Sequence, residues 1–215
     1  MASSDALDSF TQYPLELDPT TKAITLSPSS EQNDVINAEL KSLNLLHRAL
    51  VGLERPNVPP PPLPINPKRS AQITKLRDTA NTAYRKSNYP EAIKLYGYAI
   101  EMAITRPAWE PLSLVREELS GLYANRAQAH MAQRTWPDGW VDSKCSVECK
   151  ASGNTKGWWR GGKCLVEMGR WAEALSWIQR GLEVEEKEKN GEGAKELLSL
   201  MAEIEKGLQR QTQLS

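Results

Sequence analysis

The sequence predicts a mostly α protein, a stack of helical hairpins preceded by a small N-terminal α+β module. Three observations carry this. Apolar residues recur at helical spacing from Ile73 almost to the end of the chain. Small residues return in a fixed register through the same stretch. A proline-rich run, Arg55 to Pro67, separates it from an N-terminal part where apolar and polar residues alternate. With 215 residues, 40% of them hydrophobic, the chain can fill one good core and a smaller module.

In the N-terminal part, Tyr13 to Leu17 and Ala23 to Leu26 alternate around Asp18-Pro19-Thr20-Thr21, which predicts a short two-stranded hairpin. Ser29 or Ser30 is expected to cap a helix running to about Leu53, with Val35, Ile36, Leu40, Leu43, Leu46, Leu50 and Leu53 as an apolar stripe. One hairpin and one helix bury too little to stand alone. The stripe, with Val35, Leu40, Leu43, Leu46 and Leu50 as its docking residues, therefore needs a surface on a partner or on the following domain. This module is assigned residues 1–54, and residues 55–69 form the linker. The linker's prolines exclude helix and central strand, so it should be an extended, semi-rigid spacer, with docking of an SH3-type module as the alternative.

The rest reads as paired helices. Ile73, Leu76, Ala80, Ala83 and Tyr84 mark a helix that stops near Ser87-Asn88, and Pro90 opens its mate, carrying Ala92, Ile93, Tyr96, Ala99 and Ile100. Pro107 and Pro111 interrupt the pattern. Leu112 to about Gln133 is the next long helix, paired with one that starts at Pro137 and ends before Gly153. A third hairpin runs from Thr155 to Gly169 and from Trp171 to about Lys187. Gly191 and Gly193 are expected to separate it from a final helix with Leu197, Leu198, Met201, Ile204 and Leu208 on its apolar side. Its charged outer face suits the cap of a stacked array.

Net charge is +0, so electrostatic function must come from local placement, and a broad nucleic-acid surface is not expected. Met1 to Asp5 is polar and acidic, without the pattern of a secretory leader, and no window is apolar enough for a membrane span. Cys145, Cys149 and Cys164 are an odd number of thiols and are expected to be small buried groups in a reducing compartment; His47 and His130 do not fall at zinc-ligand spacing from them. No nucleophile–base pair or phosphate-binding loop appears, so an enzyme is not expected, and no cofactor is implied. Trp158 and Trp159 read as packing residues, and Arg126 and Lys163 as solvated or salt-bridged.

Superposing the hairpins aligns Ala80, Ala127 and Gly162, and twelve residues later Ala92, Gly139 and Ala174. The register steps are 47 and 35 residues, against about 34 for a tetratricopeptide repeat, so the first step holds an insertion around Pro107 to Pro111. With the inter-helix turns Asn88-Tyr89-Pro90-Glu91-Ala92-Ile93 and Gly169-Arg170-Trp171-Ala172-Glu173-Ala174-Leu175, residues 70–211 resemble a tetratricopeptide solenoid. Its repeats fall at about 73–106, 120–153 and 155–188, with a cap at 191–210. Repeat two departs from the family, having Gly139, Ser143 and Ser146 where larger residues are usual, and its second helix is expected to pack loosely.

The resemblance implies that the first helix of each repeat lines a groove, which would gather Arg77 and Asn81, Asn125, and Lys156 and Arg160. These resemble the carboxylate clamp of co-chaperone tetratricopeptide domains, with Arg77 and Asn81 in Lys/Arg-Xaa-Xaa-Xaa-Asn and Asn125 in Leu122-Tyr123-Ala124-Asn125-Arg126-Ala127. Lys156 and Arg160, one turn apart with no acid between them, repel one another unless an anion offsets the cost. Asparagine amides would direct the two carboxylates of a C-terminal aspartate while the cations supply charge-assisted hydrogen bonds. Tyr84 and Met131, one turn beyond, are candidates for contacts further up the peptide, with core packing as the alternative. Similar clamps hold the Glu-Glu-Val-Asp (EEVD) tail of cytosolic heat-shock chaperones.

An N-terminal hairpin-helix module, a proline spacer and one three-repeat clamp together resemble the fungal tetratricopeptide subunit of the endoplasmic-reticulum complex for post-translational translocation. That family implies docking of the N-terminal module on a membrane-anchored sister subunit. It also implies capture of seventy-kilodalton-class chaperones carrying precursor chains, at the cytosolic face of the membrane. A free cytosolic co-chaperone and a scaffold whose groove a partner fills are the alternatives.

Overall fold

The computed structural model describes residues 12–28, 33–53, 58–187 and 191–214. The chain divides into two compact units, Met1–Pro61 with Pro107–Trp109, and Pro62–Arg106 with Glu110–Ser215.

In the first unit, β1 (Leu15–Leu17) pairs antiparallel with β2 (Ile24–Leu26), Leu15 opposite Leu26 and Leu17 opposite Ile24. Asp18 builds the turn. One carboxylate oxygen accepts from the N–H groups of Thr20 and Thr21 at 2.7 and 3.1 Å, the other accepts from the Thr21 hydroxyl, and these bonds hold its carboxyl below the usual range. Helix α1 (Asp34–Val51) is capped by Asn33, which accepts from the N–H groups of Val35 and Ile36. The cap therefore lies at Asn33; Ser29 and Ser30, where it was expected, lie outside the described residues. Asn44 ties α1 to β2 by donating to the Ile24 carbonyl and accepting from the Ile24 N–H, both at 2.8 Å. Of the expected stripe, Leu40 is buried and Ile36, Leu50 and Leu53 half-buried, whereas Val35, Leu43 and Leu46 are exposed. Two three-residue strands are too small to cover an eighteen-residue helix.

The second unit contains α2 (Pro67–Arg85), α3 (Tyr89–Ile104), α4 (Leu112–Ala132), α5 (Trp136–Cys149), α6 (Thr155–Glu167), α7 (Trp171–Lys187) and α8 (Gly191–Leu214). Each packs on the next, and α2, α4, α6 and α8 also touch in succession, so the first helices of the hairpins share one layer. The hairpin turns repeat in detail. Ser87, Arg134 and Gly169, each seven residues after the aligned small residue, have φ of 59°, 60° and 73°. The next N–H in each case (Asn88, Thr135, Arg170) donates back to the carbonyl five residues earlier (Ala83, His130, Leu165) at 2.9 to 3.0 Å. This is the Schellman ending, which closes the first helix and reverses the chain.

Two boundaries differ from the sequence reading. Pro67 belongs to α2, because Asn66 caps the helix and proline at its start forfeits no intrahelical hydrogen bond. Gly191 and Gly193 lie inside the first turn of α8. A Cβ at Gly193 would fall 2.2 Å from Thr155 Oγ1, so glycine there allows α8 to approach the start of α6.

One core cluster, with Ile73, Ala80, Ala92, Tyr96, Ala99, Ile100 and Leu122, joins α2, α3 and α4. A second, with Trp158, Leu165, Ala174, Trp177, Ile178, Leu182, Leu197 and Ile204, joins α6, α7 and α8. Between them, α5 packs tightly, contrary to expectation. Ser143 and Ser146 are fully buried, and a Cβ at Gly139 would lie 2.9 Å from Cys164 Sγ. Their small size lets α4 and α6 come close, and polar bonds replace apolar bulk. Ser146 Oγ donates to the Ser120 carbonyl at 2.8 Å and accepts from Asn154 Nδ2 at 2.9 Å.

Candidate functional site

On α2, burial of Ile73 and Ala80 fixes the rotation of the helix. Arg77, Asn81 and Tyr84, at i, i+4 and i+7, then share a half-buried strip. Arg77 bonds its neighbour Asp78 at 3.2 Å, both side chains well exposed, a pair worth little and open to competition. Asn81 Oδ1 accepts a 2.5 Å hydrogen bond from the hydroxyl of Tyr96, a buried residue of α3. Tyr84 sets its ring 5.4 Å from that of Tyr89 and packs on the first core cluster.

Arg160 is the most unusual cation here. It is buried to 8% exposure, and its guanidinium donates to the Ala124 carbonyl at 2.6 Å and to Gln128 Oε1 at 2.5 Å, both on α4. Neither acceptor is a carboxylate. Burial pushes its pKa down, and the nearby phenols of Tyr84 and Tyr96 oppose this without restoring the ordinary value. Among other cations of the stack, Arg126 and Lys163 have acids, whereas Arg69 and Arg116, less buried than Arg160, bond only carbonyl and hydroxyl oxygens. Arg126 grips Asp142 through two bonds of 2.7 and 2.8 Å, and Lys163 reaches Glu203 at 2.8 Å and Glu167 at 3.3 Å. Trp158 is a core residue and Trp159 packs partly buried against the same cluster.

The structure thus brings Asn81 onto the Tyr96 hydroxyl, with Arg160, Tyr84 and Arg77 near enough to act on its charge. Burial raises the Tyr96 pKa, and the positive charges of Arg160, Arg77 and Arg85 pull against that rise. Asn125 follows Ala124 on α4, and Lys156 lies one turn before Arg160. Among the described residues neither side chain has a hydrogen-bond or ion-pair partner, and Lys156 is exposed. Met131 lies against Gly139, its Cγ 3.5 Å from where a Cβ would be, and so packs between α4 and α5. Sequence reasoning took Tyr96 as apolar core and passed over Gln128. The signal for Tyr96 was a tyrosine at a buried position, whose hydroxyl needs a partner. Of the three thiols only Cys164 is buried, its pKa pushed up to about 12 by burial, with Glu167 and Asp142 adding; Cys145 and Cys149 are half-buried.

Stacked hairpins with repeated turns, a shared layer of first helices and a cation-lined strip on that layer define a tetratricopeptide-repeat protein, and solved structures agree on the fold. A chain of the Saccharomyces cerevisiae Sec complex (cryo-EM, Sec61 pore ring and Sec63 FN3 double mutant, class without Sec62) matches with a TM-score of 0.70 at 22% identity, covering 92% of this chain and 98% of that one. The TPR2B domain of yeast Sti1, solved in complex with pHsp70, matches with a TM-score of 0.53 at 20% identity, covering 63% of this chain and 98% of that one. No protein-family model matches. The Schizosaccharomyces pombe ER protein translocation subcomplex subunit sec67 is 35% identical over 145 residues, 66% of this chain and 75% of the relative. The chain belongs to the sec67 family of endoplasmic-reticulum protein-translocation subunits. No described helix is long and apolar enough to cross a membrane.

Proposed function

We propose that this protein is a chaperone-docking adaptor of the endoplasmic-reticulum translocation machinery, gripping the C-terminal EEVD tail of cytosolic seventy-kilodalton-class heat-shock chaperones and bringing them, with bound precursors, to the channel. Arg77, Asn81, Asn125, Lys156 and Arg160 hold the terminal carboxylates, and Tyr84 contacts the residues before them. The observation that carries this is Arg160, a buried guanidinium met only by neutral oxygens, with the unpaired Lys156 one turn away. An anion bound there supplies the countercharge that the stack withholds. The Sti1 domain of the same fold, solved with pHsp70, supports the ligand class. The exposed Val35, Leu43 and Leu46, with Leu40 and Leu50 behind them, suit docking of residues 1–54 on a membrane-anchored sister subunit, which would hold the protein at the cytosolic face of the membrane.

A flexible tail pays ordering entropy, so the expected affinity is micromolar to tens of micromolar, about −6 to −8 kcal/mol. Fluorescence anisotropy with a labelled peptide ending in Glu-Glu-Val-Asp tests this. Saturable binding that weakens with salt is expected. No binding up to millimolar protein overturns the reading and leaves a groove that a partner fills.

A further inference from the structure

We infer that the buried Tyr96 hydroxyl sets the ligand preference of the groove by fixing the orientation of the Asn81 amide with its NH2 group left to donate, so that Asn81 favours a free carboxylate over an uncharged C-terminus. The inference rests on the peptide-binding reading above and deepens it. An asparagine amide offers two donors and an acceptor, and left alone it turns to suit either kind of ligand atom. Here the choice is removed. Tyr96 donates to Asn81 Oδ1 at 2.5 Å from a position 2% exposed, with packing on the core of α2, α3 and α4 to hold the ring in place.

Turning the amide over would bring its NH2 group against the phenol and point Oδ1 the other way. The phenol oxygen could accept a bond in that arrangement, but its proton would then need another acceptor. Among the described residues the Tyr96 hydroxyl has no hydrogen-bond acceptor besides Asn81. The flip therefore strands a buried donor, which costs more than an ordinary hydrogen bond gains. The Asn81 NH2 group has no partner among the described residues and is free to donate to a ligand oxygen. Asn125, with no such tether, keeps both donor and acceptor capacity, so the two asparagines divide the work. Asn81 only donates to the carboxylate, while Asn125 can donate to it and also accept from a peptide N–H.

The test uses the full-length protein, wild type and Tyr96→Phe, and two labelled peptides ending in Glu-Glu-Val-Asp, one with a free C-terminal carboxylate and one with a C-terminal amide. Phenylalanine keeps the ring in the core, so thermal unfolding should stay cooperative. The free acid should bind Tyr96→Phe about five- to tenfold more weakly than wild type, with the amide little changed, so that the acid-to-amide affinity ratio falls by that factor. A purely structural tyrosine would weaken both peptides alike, and an unchanged ratio overturns the inference. A second variant, Asn81→Ala, removes the amide donor without adding charge and should lose the free acid more than the amide; equal loss of both overturns the inference as well. Failure of wild type to bind either peptide would overturn the peptide-binding reading itself and this inference with it. Wild-type binding with an unchanged ratio in Tyr96→Phe overturns the inference alone.

Discussion

Arg106 and Arg160 are buried arginines of the same helical stack, and their surroundings are opposite. Arg106, just after α3, meets two carboxylates. It bonds Glu118 through two nitrogens at 2.7 and 2.9 Å, it bonds Glu110, and it donates to Ser70 at 2.8 Å, joining α2, the inserted segment and α4. Burial opposes its charge, and the bonds from Glu118 and Glu110 outweigh that, so its pKa lies above the ordinary value. Arg160 has two neutral oxygens, and its pKa lies below. The charge of Arg106 is compensated inside the fold. Arg160, the most deeply buried of the acid-free arginines in the first-helix layer, is the cation on which the proposed peptide site rests.

The largest expected effect separates the two arginines by stability. Arg106→Met leaves Glu110 and Glu118 facing each other without their cation, and should cost about 3 to 5 kcal/mol in urea unfolding, while the folded fraction keeps its peptide affinity. Arg160→Ala should do the reverse. Peptide affinity should fall about a hundredfold by anisotropy, with a smaller loss of stability and helical circular dichroism preserved. If Arg160→Ala proves as destabilising as Arg106→Met and leaves affinity unchanged, the contrast between them is false.

Lys156→Ala comes next. With no partner among the described residues to lose, it should leave the melting temperature unchanged and weaken binding about five- to tenfold, with a shallower salt dependence than wild type. The smallest effect is expected at His130, half-buried beside Asp142, the acid that holds Arg126. Burial lowers its pKa, and Asp142 and Asp138 pull the other way without cancelling the shift. Its folded pKa therefore lies below the unfolded value of about 6.5, so the unfolded chain binds the proton more readily. The stability it contributes is full above that value and is lost as pH falls toward the folded pKa. Urea midpoints at pH 7.5 and 5.5 should show a drop that His130→Gln reduces.

Much of the stack was legible because each hairpin obeys one register. Ala80, Ala127 and Gly162 are small where helices meet, and the left-handed residue seven positions later ends each first helix, whether it is Ser87, Arg134 or Gly169. Boundaries that depended on a choice between equivalent signals were harder. Asn33 and Ser30 both suit a cap, Pro67 suits a linker as well as a first helical turn, and only the approach of Gly193 to Thr155 shows why glycines open α8 rather than precede it. The small residues of α5 were read as missing bulk, because a sequence does not show that Asn154, Ser120 and Ser146 come together as a buried polar seam. At the candidate site the cations and asparagines stood out as residue types at helical spacing. That Tyr96 meets Asn81, fifteen residues away, and that Gln128 meets Arg160, are facts of packing between helices with no local pattern.

The most direct measurement follows the two arginines in one sample. Nuclear magnetic resonance of the arginine Nε–H groups, assigned by Arg106→Lys and Arg160→Lys, is recorded while a peptide ending in Glu-Glu-Val-Asp with a free carboxylate is added. The Arg160 resonance should move and saturate with the anisotropy curve while that of Arg106 stays in place. Movement of Arg106 alone, or a saturated complex in which Arg160 does not respond, would contradict the assignment of the uncompensated guanidinium to the ligand.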